Sequence, residues 1–417
     1  MRAAALCLSL LLAPAGAAAD EPWSFSGHAK YRLEAAAYPG NSLYRDLFGD
    51  FADDQALEGR FNLSWRRDRW SAQADYQLIG LYGDRLALAG LLPELGVPIR
   101  GIISDDRRWF DLTWTLADSD DAALVHRFDR ASVGYAGNRV VWRLGRQAIS
   151  WGNGLLFTPM DIFNPFDPAT VDREYKTGDD MLYGQYLFGN GSDAQAVAVV
   201  RRDPVSGEVE ADHSSLAFKY HGFAGANEYD LLAARHYDET VLGIGGSMAL
   251  GGAVWQSDLT WTDTDHGGVF SAVTSLSYSW TWIGRNVSGL LEYYYNGFGQ
   301  TGSDYSPAAL RGNTELLQRI ERGELYTLGR HYLGASATIE VNPLFLVTPT
   351  ALVNLVDPSA LLQLVTRYDW RQNLQLVAAL NLPVGPDGSE YGGIESPVEE
   401  RYLSTDASLF FQLAWYF

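Results

Sequence analysis

Apolar and polar residues alternate along almost the whole chain, and no other feature of the sequence restricts the fold as strongly. In "FNLSWRR", Phe61, Leu63 and Trp65 share one face, while polar residues occupy the positions between them. Segments such as "WSAQADYQLIGLY" and the final "SLFFQLAWYF" repeat the pattern. A period of two is the spacing of a β-strand with one apolar and one polar face. The chain is therefore predicted to be all-β.

Three further features favour a membrane barrel over a soluble sandwich, which would also show alternation. The segments are typically about ten residues or longer, as a tilted membrane-crossing strand requires. Connections such as "AGN" and "GRN" are short, whereas "PGNSLYRDLFGDFADDQ" and several others are long. Aromatic residues make up 13% of the chain, and no apolar run approaches the ~20 residues of a spanning helix. These features predict a transmembrane antiparallel β-barrel with long extracellular loops and short periplasmic turns.

The number of strands follows from counting the alternating segments. They lie near 23–36, 56–66, 69–82, 108–118, 126–136, 138–151, 180–189, 193–203, 212–223, 226–237, 240–250, 252–263, 268–283, 286–297, 324–341, 343–355, 359–371, 372–383 and 402–417. A bacterial single-chain barrel has an even number of strands, and "VPIRGIIS", 97–104, is the natural addition. The prediction is about 20 strands, with about 18 as the alternative if two weak strands merge.

The first 19 residues have the pattern of a cleaved signal peptide, with Arg2, an apolar stretch and a small-residue site before Asp20. The only cysteine, Cys7, lies within it, so no disulfide is expected in the remaining single domain, 20–417. Because the first strand begins a few residues later, no room is expected for a plug domain. Export together with a barrel fold predicts the outer membrane of a Gram-negative bacterium.

The ends and charge of the chain also predict its partners. A formal net charge of −20 argues against nucleic acid, which requires a concentrated basic surface. The outward side chains would contact outer-membrane lipid and lipopolysaccharide, with tryptophans near strand ends forming interfacial girdles. Phe417 closes the last strand and resembles the terminal aromatic signal that the barrel-assembly machinery recognises.

The polar faces of the strands would line the lumen. The predicted lining residues are Lys30, Arg32, Glu34, Arg60, Arg66, Asp75, Arg143, Lys219, Arg330, Arg367, Asp369 and Arg371. One interpretation is a water-filled pore whose cations attract anionic or polar solutes. The other is a network of opposite charges that stabilises the wall and implies no selectivity. Alternation alone would point Arg146 outward, unless a bulge intervenes.

The segment from Gly152 to Asp180 differs from the other long connections because it is rich in apolar residues. Leu155, Leu156, Phe157, Met160, Ile162, Phe163 and Phe166 all need burial. A loop cannot bury them in water, nor lie in lipid with unpaired backbone groups. Gly152 and Gly154 permit a sharp turn, and Pro159, Pro165 and Pro168 stiffen the return. We predict a constriction loop folded into the lumen, including Asp161; the alternative is a lid packed above the mouth.

"RLGRQAISWG" followed by "FNPFDP" resembles a pattern in porin-like outer-membrane proteins related to the alginate-export family. The similarity covers roughly 131–184 and implies a monomeric barrel that passes solutes or polysaccharide through a narrowed lumen. It also implies that Arg146, Gln147 and Trp151 anchor the loop, and that Asn164 and Asp167, which flank Pro165, shape it. The predicted lumen is less basic than that of an alginate exporter, so the substrate stays open.

The remaining motifs point away from catalysis. No nucleophile motif accompanies the seven scattered histidines, and no ligand spacing predicts a metal or other cofactor. "NTELLQRIERG", 313–323, has apolar residues at helical spacing and predicts a short helix over the mouth. The sequence therefore predicts a non-enzymatic channel for small polar or anionic solutes, which include oligosaccharides. The alternative is an exporter of a polysaccharide or another polymer that works with periplasmic partners.

Overall fold

The computed structural model of the chain describes residues 22–84, 86 and 103–417. The predicted signal peptide, 1–19, and most of the additional strand predicted at 97–104 lie outside these residues. In the described part of the chain, no helix is both long and apolar enough to cross a membrane.

The described residues form 21 strands and three helices. The strands are β1 (Trp23–Ala37), β2 (Phe51–Arg67), β3 (Trp70–Gly83), β4 (Thr113–Asp118), β5 (Ala122–Ala136), β6 (Val140–Gln147), β7 (Asp179–Leu187), β8 (Asp193–Val199), β9 (Ser215–Ala224), β10 (Asn227–His236), β11 (Glu239–Leu250), β12 (Ala253–Thr264), β13 (Gly267–Trp282), β14 (Arg285–Tyr295), β15 (His331–Asn342), β16 (Phe345–Asn354), β17 (Ser359–Arg371), β18 (Leu374–Val384), β19 (Ile394–Glu395), β20 (Tyr402–Leu403) and β21 (Ala407–Tyr416). The helices are α1 (Leu43–Phe48), α2 (Pro307–Arg311) and α3 (Thr314–Arg322).

Eighteen of the 19 strands in the main sheet form a closed antiparallel barrel. Each strand pairs with its neighbours in chain order, except that β3 pairs with β5 and β18 pairs with β21. The ring closes because β1 pairs with β2 on one side and with β21 on the other. The prediction of about 20 strands is therefore wrong for the described residues, and the alternative of 18 fits.

The alternation predicted from the sequence separates an apolar outer surface from a polar interior. On β3, Asp75 and Gln77 are buried inside, whereas Trp70 and Leu78 are exposed outside. Leucines on many other strands are exposed in the same way. A water-soluble protein has the opposite arrangement, and this inversion is typical of barrels whose outer surface contacts lipid.

The connections give the barrel two different ends. Tight turns such as 68–69, 137–139 and 225–226 lie at one end, here the turn end, together with Trp23 and Phe417. The long connections 38–50, 148–178, 200–214, 296–330 and 385–406 lie at the other, here the loop end. Helix α3 lies in the fourth of these; Asn313 caps its first turn and Gly323 ends it in the left-handed conformation. The helix predicted at 313–323 is thus confirmed.

The strand predicted at 108–118 is present only as β4, which does not belong to the closed ring. β4 pairs with the beginning of β5, at Ala123–Arg127, while β6 pairs with the end of β5, at Ala131–Ala136. The two strands thus share one edge of β5. β6 does not reach the first part of β5, because β6 ends at Gln147, four residues before the predicted end at Trp151. β4 pairs with this first part of β5 instead.

Residues 148–178, which we call the inner segment, leave the wall at the end of β6 and enter the barrel. Asn153 reaches Asp258 on β12, and Leu156 reaches Glu292 on β14. These strands are far from β6 and β7 around the ring, so the segment crosses the lumen. Its observed bounds differ slightly from the predicted 152–180, because β7 already begins at Asp179.

Candidate functional site

Two carboxylates on the wall hold the inner segment across the lumen. Glu292 on β14 accepts three consecutive backbone N–H groups, from Leu155 (2.8 Å), Leu156 (3.0 Å) and Phe157 (2.7 Å). Asp258 on β12 accepts the backbone N–H of Asn153 (2.6 Å) and, through its other oxygen, the side-chain amide of Asn153 (2.8 Å). Hydrogen bonds to an ionised acceptor are the stronger kind in proteins. The first turn of the segment is therefore docked at two points.

Two glycines allow that turn. Gly152 has a φ of +94°, a conformation that other residues rarely adopt. A Cβ atom at Gly154 would lie 1.9 Å from the carbonyl oxygen of Phe157. Only a residue without a side chain permits this close approach of backbone to backbone.

A buried ion pair closes the segment on itself. Nζ of Lys176 lies 2.6–2.7 Å from both carboxylate oxygens of Asp161, and it also donates to the carbonyl of Ile149 (2.6 Å). The backbone N–H of Trp151 donates to Asp161 as well (3.3 Å). Burial raises the pKa of Asp161 to about 6, although Lys176 favours the ionised carboxylate. The pair joins the entering and returning ends of the inner segment.

Apolar side chains of the inner segment pack against the inside of the barrel. Phe157 stacks on Tyr294, with ring centroids 4.8 Å apart, and contacts Tyr332. Phe163 packs edge-on against Trp151, and both belong to a cluster with Met160 and wall residues of β7–β11. The interior thus contains a hydrophobic core that the polar wall alone could not form. Of the residues expected to need burial, Leu155 is the exception, with 41% of its surface exposed.

Arg146 is fully buried and joins three parts of the chain. Its guanidinium donates to Asp180 on β7 (2.9 Å), to Asp105 (2.7 Å) and to the carbonyl of Phe110 (2.6 Å). In the strand pairing Arg146 keeps the parity of the exposed Leu144, as alternation predicts, and it is buried because the residues that precede β4 cover its side chain. The two arginines Arg108 and Arg146 hold the pKa of Asp105 at about 2, below its usual value.

The other residues implied by the family resemblance also hold backbone or side chains in place. Gln147 donates to the carbonyls of Met181 and Arg143 (both 3.3 Å), and the indole of Trp151 donates to Gln195 (2.8 Å). Asn164 has a φ of +51°, and Asp167 accepts the backbone N–H of Ala169 (2.8 Å).

Two of the residues predicted for the constriction loop are prolines, Pro159 and Pro165, and both lie where the inner segment meets other parts of the barrel. The carbonyl of Pro165 accepts the hydroxyl of Tyr326 (2.8 Å), which ties the inner segment to the connection 296–330. Pro159 lines a small pocket of about 80 Å³ between the segment and the wall.

Two cavities of about 680 Å³ each adjoin the returning half of the inner segment. The loop-end cavity is lined by the segment and by charged residues of the connections, including Arg107, Arg201 and Arg322. The turn-end cavity is lined by the segment and by β15–β18 and β21. Thr170 and Asp172 line both cavities. The two cavities therefore adjoin each other at this part of the inner segment.

In the described part of the chain, four of the nine predicted lining cations form ion pairs inside the barrel, namely Lys30, Arg32, Arg60 and Lys219. Lys30 contacts Asp172 and Glu174 of the inner segment, both at 2.7 Å, so it holds that segment. Arg60 lies 2.9 Å from Asp75 and 2.8 Å from Asp129, and its guanidinium stacks on Tyr175.

Four further predicted lining residues lie on the strands of the wall. Arg32 lies 3.4 Å from Glu58, and Lys219 lies 3.0 Å from Asp230. Arg143 lies over the ring of Tyr183, and Glu34 is half-buried on the same face of β1 as Lys30.

Arg367 is different, because it lines the turn-end cavity and has no hydrogen bond or ion pair in the described part of the chain. Asp369 accepts from Gln375 (2.8 Å), and Arg371 is exposed beyond it, near the turn end. Arg66 is likewise exposed near the turn end of β2. The inside of the turn end is therefore less densely paired than the middle of the barrel.

Arg330 does not lie on a barrel strand, contrary to the prediction. β15 begins at His331 instead of near residue 324, and Arg330 donates to the carbonyls of Gly297 and Gly299 (both 3.2 Å). The chain before His331 packs as a connection over the mouth. Arg330 therefore stabilises that connection.

Ser215, His236 and Glu324 have the hydrogen-bond order of a catalytic triad. Oγ of Ser215 lies 2.8 Å from Nδ1 of His236, and Nε2 of His236 lies 3.1 Å from Oε1 of Glu324. However, Ser215 is buried, lines none of the three cavities above, and accepts a further hydrogen bond from Arg201 (2.8 Å). His236 and Glu324 line the small pocket between the inner segment and the wall, and the network connects the connection 296–330 to the wall.

Asp258 and Glu292, which dock the inner segment, were not predicted from the sequence. Each is the single charged residue on the inward face of its strand, "AVWQSDLTWTDT" and "RNVSGLLEYYY". That isolation is the available signal, because a buried carboxylate must find donors. The donors are backbone groups more than 100 residues away, which no local pattern identifies.

The closed ring, the polar interior and the inner segment define a porin-like β-barrel, and comparisons with solved structures agree. OccAB4 of Acinetobacter baumannii aligns with a TM-score of 0.54 at 7% identity, over 95% of this chain and 98% of that one. Wzi of Escherichia coli aligns with a TM-score of 0.52 at 10% identity, over 94% of this chain and 83% of that one. Wzi is described as an outer-membrane protein involved in group 1 capsule assembly and as a carbohydrate-binding β-barrel.

A mutant porin of Rh. blastica aligns more weakly, with a TM-score of 0.45 at 10% identity, over 95% of this chain and all of that one. No protein-family model matches the sequence, and no curated protein matches it. At these identities the structures share the fold alone, so the resemblance to the alginate-export family stays a prediction.

Proposed function

We propose that the protein is an outer-membrane channel through which small polar or anionic solutes pass. The observation that carries the proposal is the pair of cavities that meet at Thr170 and Asp172, one towards each end of the barrel. A barrel of this size leaves an aqueous interior unless side chains or loops fill it. The inner segment fills part of this interior and leaves the two cavities open.

The membrane location is supported by the outer surface of the barrel. Leu242, Leu259 and Leu291 are examples of large apolar side chains that are 42–51% exposed, on β11, β12 and β14. An apolar band of this kind requires lipid around it. Outer-membrane lipid and lipopolysaccharide, a monomeric state and the absence of enzymatic activity belong to the same proposal.

The class of solute is inferred from the lining of the turn-end cavity. Hydroxyl and amide side chains dominate it, namely Ser336, Thr338, Thr348, Thr350, Gln363, Gln375 and Gln412. Lys30 contacts both Asp172 and Glu174, whereas Arg173 and Arg367 form no ion pair among the described residues. Neutral donors and acceptors together with two cations that lack an ion pair favour polar solutes, including those with a negative charge.

Single-channel recording in a planar bilayer under a salt gradient tests the proposal. The purified, refolded protein is expected to give a steady conductance, with a reversal potential that reports the preferred sign of charge. A variant in which a Gly-Ser linker replaces residues 152–176 is expected to conduct more, provided its heat-modifiable band on a gel shows a folded barrel. An intact barrel that never conducts, with or without the segment, would contradict the proposal.

A second function, export of a polysaccharide or another polymer with periplasmic partners, is favoured by one observation. The hydroxyl- and amide-lined cavity could bind sugar hydroxyl groups, and the structurally similar Wzi is described as carbohydrate-binding. This alternative predicts a silent intact barrel that conducts once the inner segment is removed. The same recordings therefore separate the two functions.

A further inference from the structure

The connection 200–214, between β8 and β9 at the loop end, gathers three side chains that can ligate a metal ion. One ligand atom each from Asp203, Glu210 and His213 lies within 4.8 Å of the other two. All three residues are half-buried. Neighbouring residues of the same connection, Arg201 and Pro204, line the loop-end cavity, but these three side chains take no part in that lining.

The distance between His213 and Glu210 suits a shared ion better than a direct hydrogen bond. Nδ1 of His213 lies 3.7 Å from Oε2 of Glu210, which is too long for a hydrogen bond. Two ligands bound at ~2.0–2.1 Å in a tetrahedral site are about 3.4 Å apart, close to this value. Nδ1 is also a buried atom without a hydrogen-bond partner in the described residues. A buried polar atom of this kind normally has a partner.

The charges of the cluster also favour a bound cation. Asp203 and Glu210 place two carboxylates near each other, and no lysine or arginine forms an ion pair with either in the described chain. Arg107 acts electrostatically on Asp203, but its guanidinium contacts Glu321 at 2.5 Å. Like charges held this close are unfavourable unless a cation lies between them. A divalent ion would neutralise both carboxylates.

The backbone holds the three residues in place without any ion. Asp203 and Glu208 form a hairpin, with Asp203 N–H donating to the carbonyl of Glu208 (2.9 Å) and Gly207 N–H donating to that of Asp203 (2.8 Å). The hydroxyl of Ser214 donates to the carbonyl of Glu210 (2.8 Å). Oδ1 of Asp203 accepts the N–H of Val205 (2.6 Å), which leaves Oδ2 for a ligand. A preformed set of ligands binds an ion with little ordering penalty.

We propose that Asp203, Glu210 and His213 bind a divalent transition-metal ion such as Zn²⁺ at the rim of the barrel. One imidazole nitrogen and two carboxylate oxygens suit zinc, whereas calcium and magnesium prefer oxygen ligands alone. Three protein ligands leave the fourth tetrahedral position for water or a solute. The ion would fix the connection 200–214 beside the loop-end cavity. This proposal does not depend on whether the barrel conducts.

The experiment uses the refolded barrel in detergent after treatment with EDTA and dialysis. Co²⁺ is added first, because tetrahedral Co²⁺ gives intense visible absorption bands, and Zn²⁺ is then titrated by calorimetry. We expect one Zn²⁺ site per chain that displaces Co²⁺. His213→Gln and Asp203→Asn should each weaken binding by about 10-fold or more. The asparagine retains an oxygen that can accept the Val205 N–H, so the hairpin is expected to survive.

Asp304→Asn is the matched control, because Asp304 is an exposed carboxylate in another loop-end connection and also accepts a backbone N–H, from Ser306 (2.9 Å). This variant should bind zinc as the parent does. The proposal is overturned if the parent binds neither metal, or if His213→Gln leaves the affinity and the Co²⁺ spectrum unchanged. Binding of Ca²⁺ with no response to Zn²⁺ would also overturn it. Heat-modifiable mobility on a gel verifies that each variant is folded.

Discussion

Glu390 is a carboxylate that is enclosed by donors and has no cationic partner among the described residues. It accepts hydrogen bonds from Tyr332 (2.5 Å), Asn354 (2.6 Å) and the backbone of Leu328 (2.8 Å). Its own N–H donates to Asp357 (2.8 Å). It thereby joins the connections 296–330 and 385–406 at the loop end. Burial raises the pKa of Glu390 to about 7, although the three donors favour the ionised form.

This raised pKa predicts how the contact responds to pH. Its usual value is 4.5, so between pH 4.5 and about 7 the folded state holds a proton that the unfolded state has lost. The stabilisation is therefore complete below pH 4.5 and is lost as the pH rises towards about 7. The change in local stability is at most about 3 kcal/mol, and less to the extent that water reaches the side chain.

Hydrogen exchange of peptides covering 325–332 and 385–393, corrected for intrinsic rates, measures this dependence. Protection in the parent should fall between pH 5 and pH 8, and Glu390→Gln should flatten the profile. Glu399→Gln, an exposed residue of the same connection, is the control and should behave as the parent does. Equal slopes in the parent and in Glu390→Gln would show that this carboxyl does not set the pH response.

At the scale of elements, the docking of the inner segment depends on Glu292 of β14. Removing its carboxylate leaves three backbone N–H groups, those of residues 155–157, without an acceptor inside the barrel. Each hydrogen bond to a charged acceptor contributes about 1.5–3 kcal/mol, so Glu292→Ala should destabilise the docked state by about 3 kcal/mol or more. A change of that size multiplies the undocked population by roughly 100-fold.

If the protein is a channel, Glu292→Ala should raise the mean single-channel conductance and add transitions between levels. Glu228→Gln is a suitable control, because Glu228 is an exposed residue on β10 away from the segment. Planar-bilayer recordings of the parent and both variants provide the comparison. A conductance that is identical in all three proteins would mean that the docked turn does not limit the path.

The elements also show which parts of the architecture were predictable. Eighteen barrel strands follow from alternation, because a wall with lipid on one side and a polar interior on the other imposes a period of two. β4 alternates as well, and alternation alone cannot tell a strand of the closed ring from one that pairs at a single edge. The early end of β6 at Gln147 opens that edge, and the chain beyond it is held by contacts that are distant in sequence, such as Asn153 with Asp258.

The candidate site, like the fold, was predictable only in part. The apolar residues of the inner segment indicated burial, since neither water nor lipid can accommodate them on an irregular backbone. Lys30 and Arg60 were recognisable as inward-facing, but their partners were not, because Asp172 and Asp129 are distant in sequence. Pairing within the lumen is a property of the closed ring, which brings such strands and the segment together.

At the scale of the whole molecule, Phe417 closes the barrel in two ways. Its backbone exchanges hydrogen bonds with Gly27 on β1, from Gly27 N–H to Phe417 O (2.9 Å) and from Phe417 N–H to Gly27 O (3.0 Å). Its ring contacts Phe25 and Phe61, with centroids 5.9 and 6.0 Å away. Any residue except proline can form both backbone bonds, whereas the ring contacts require an aromatic side chain. Substitution can therefore separate the structural role of the ring from the predicted recognition by the assembly machinery.

Phe417→Ala keeps the backbone bonds and removes the ring, whose surface is 37% exposed. Partial burial of this side chain predicts a loss of about 1–2 kcal/mol in the stability of the refolded barrel. Phe25→Ala removes the same contact from the partner strand and leaves the terminal aromatic in place, so it is the matched control. If Phe417 is also an assembly signal, only Phe417→Ala should strongly reduce the heat-modifiable barrel in cell membranes, while both variants refold similarly in detergent. Equal losses of the two variants in cells would assign Phe417 a purely structural role, since the shared ring contact would then account for both.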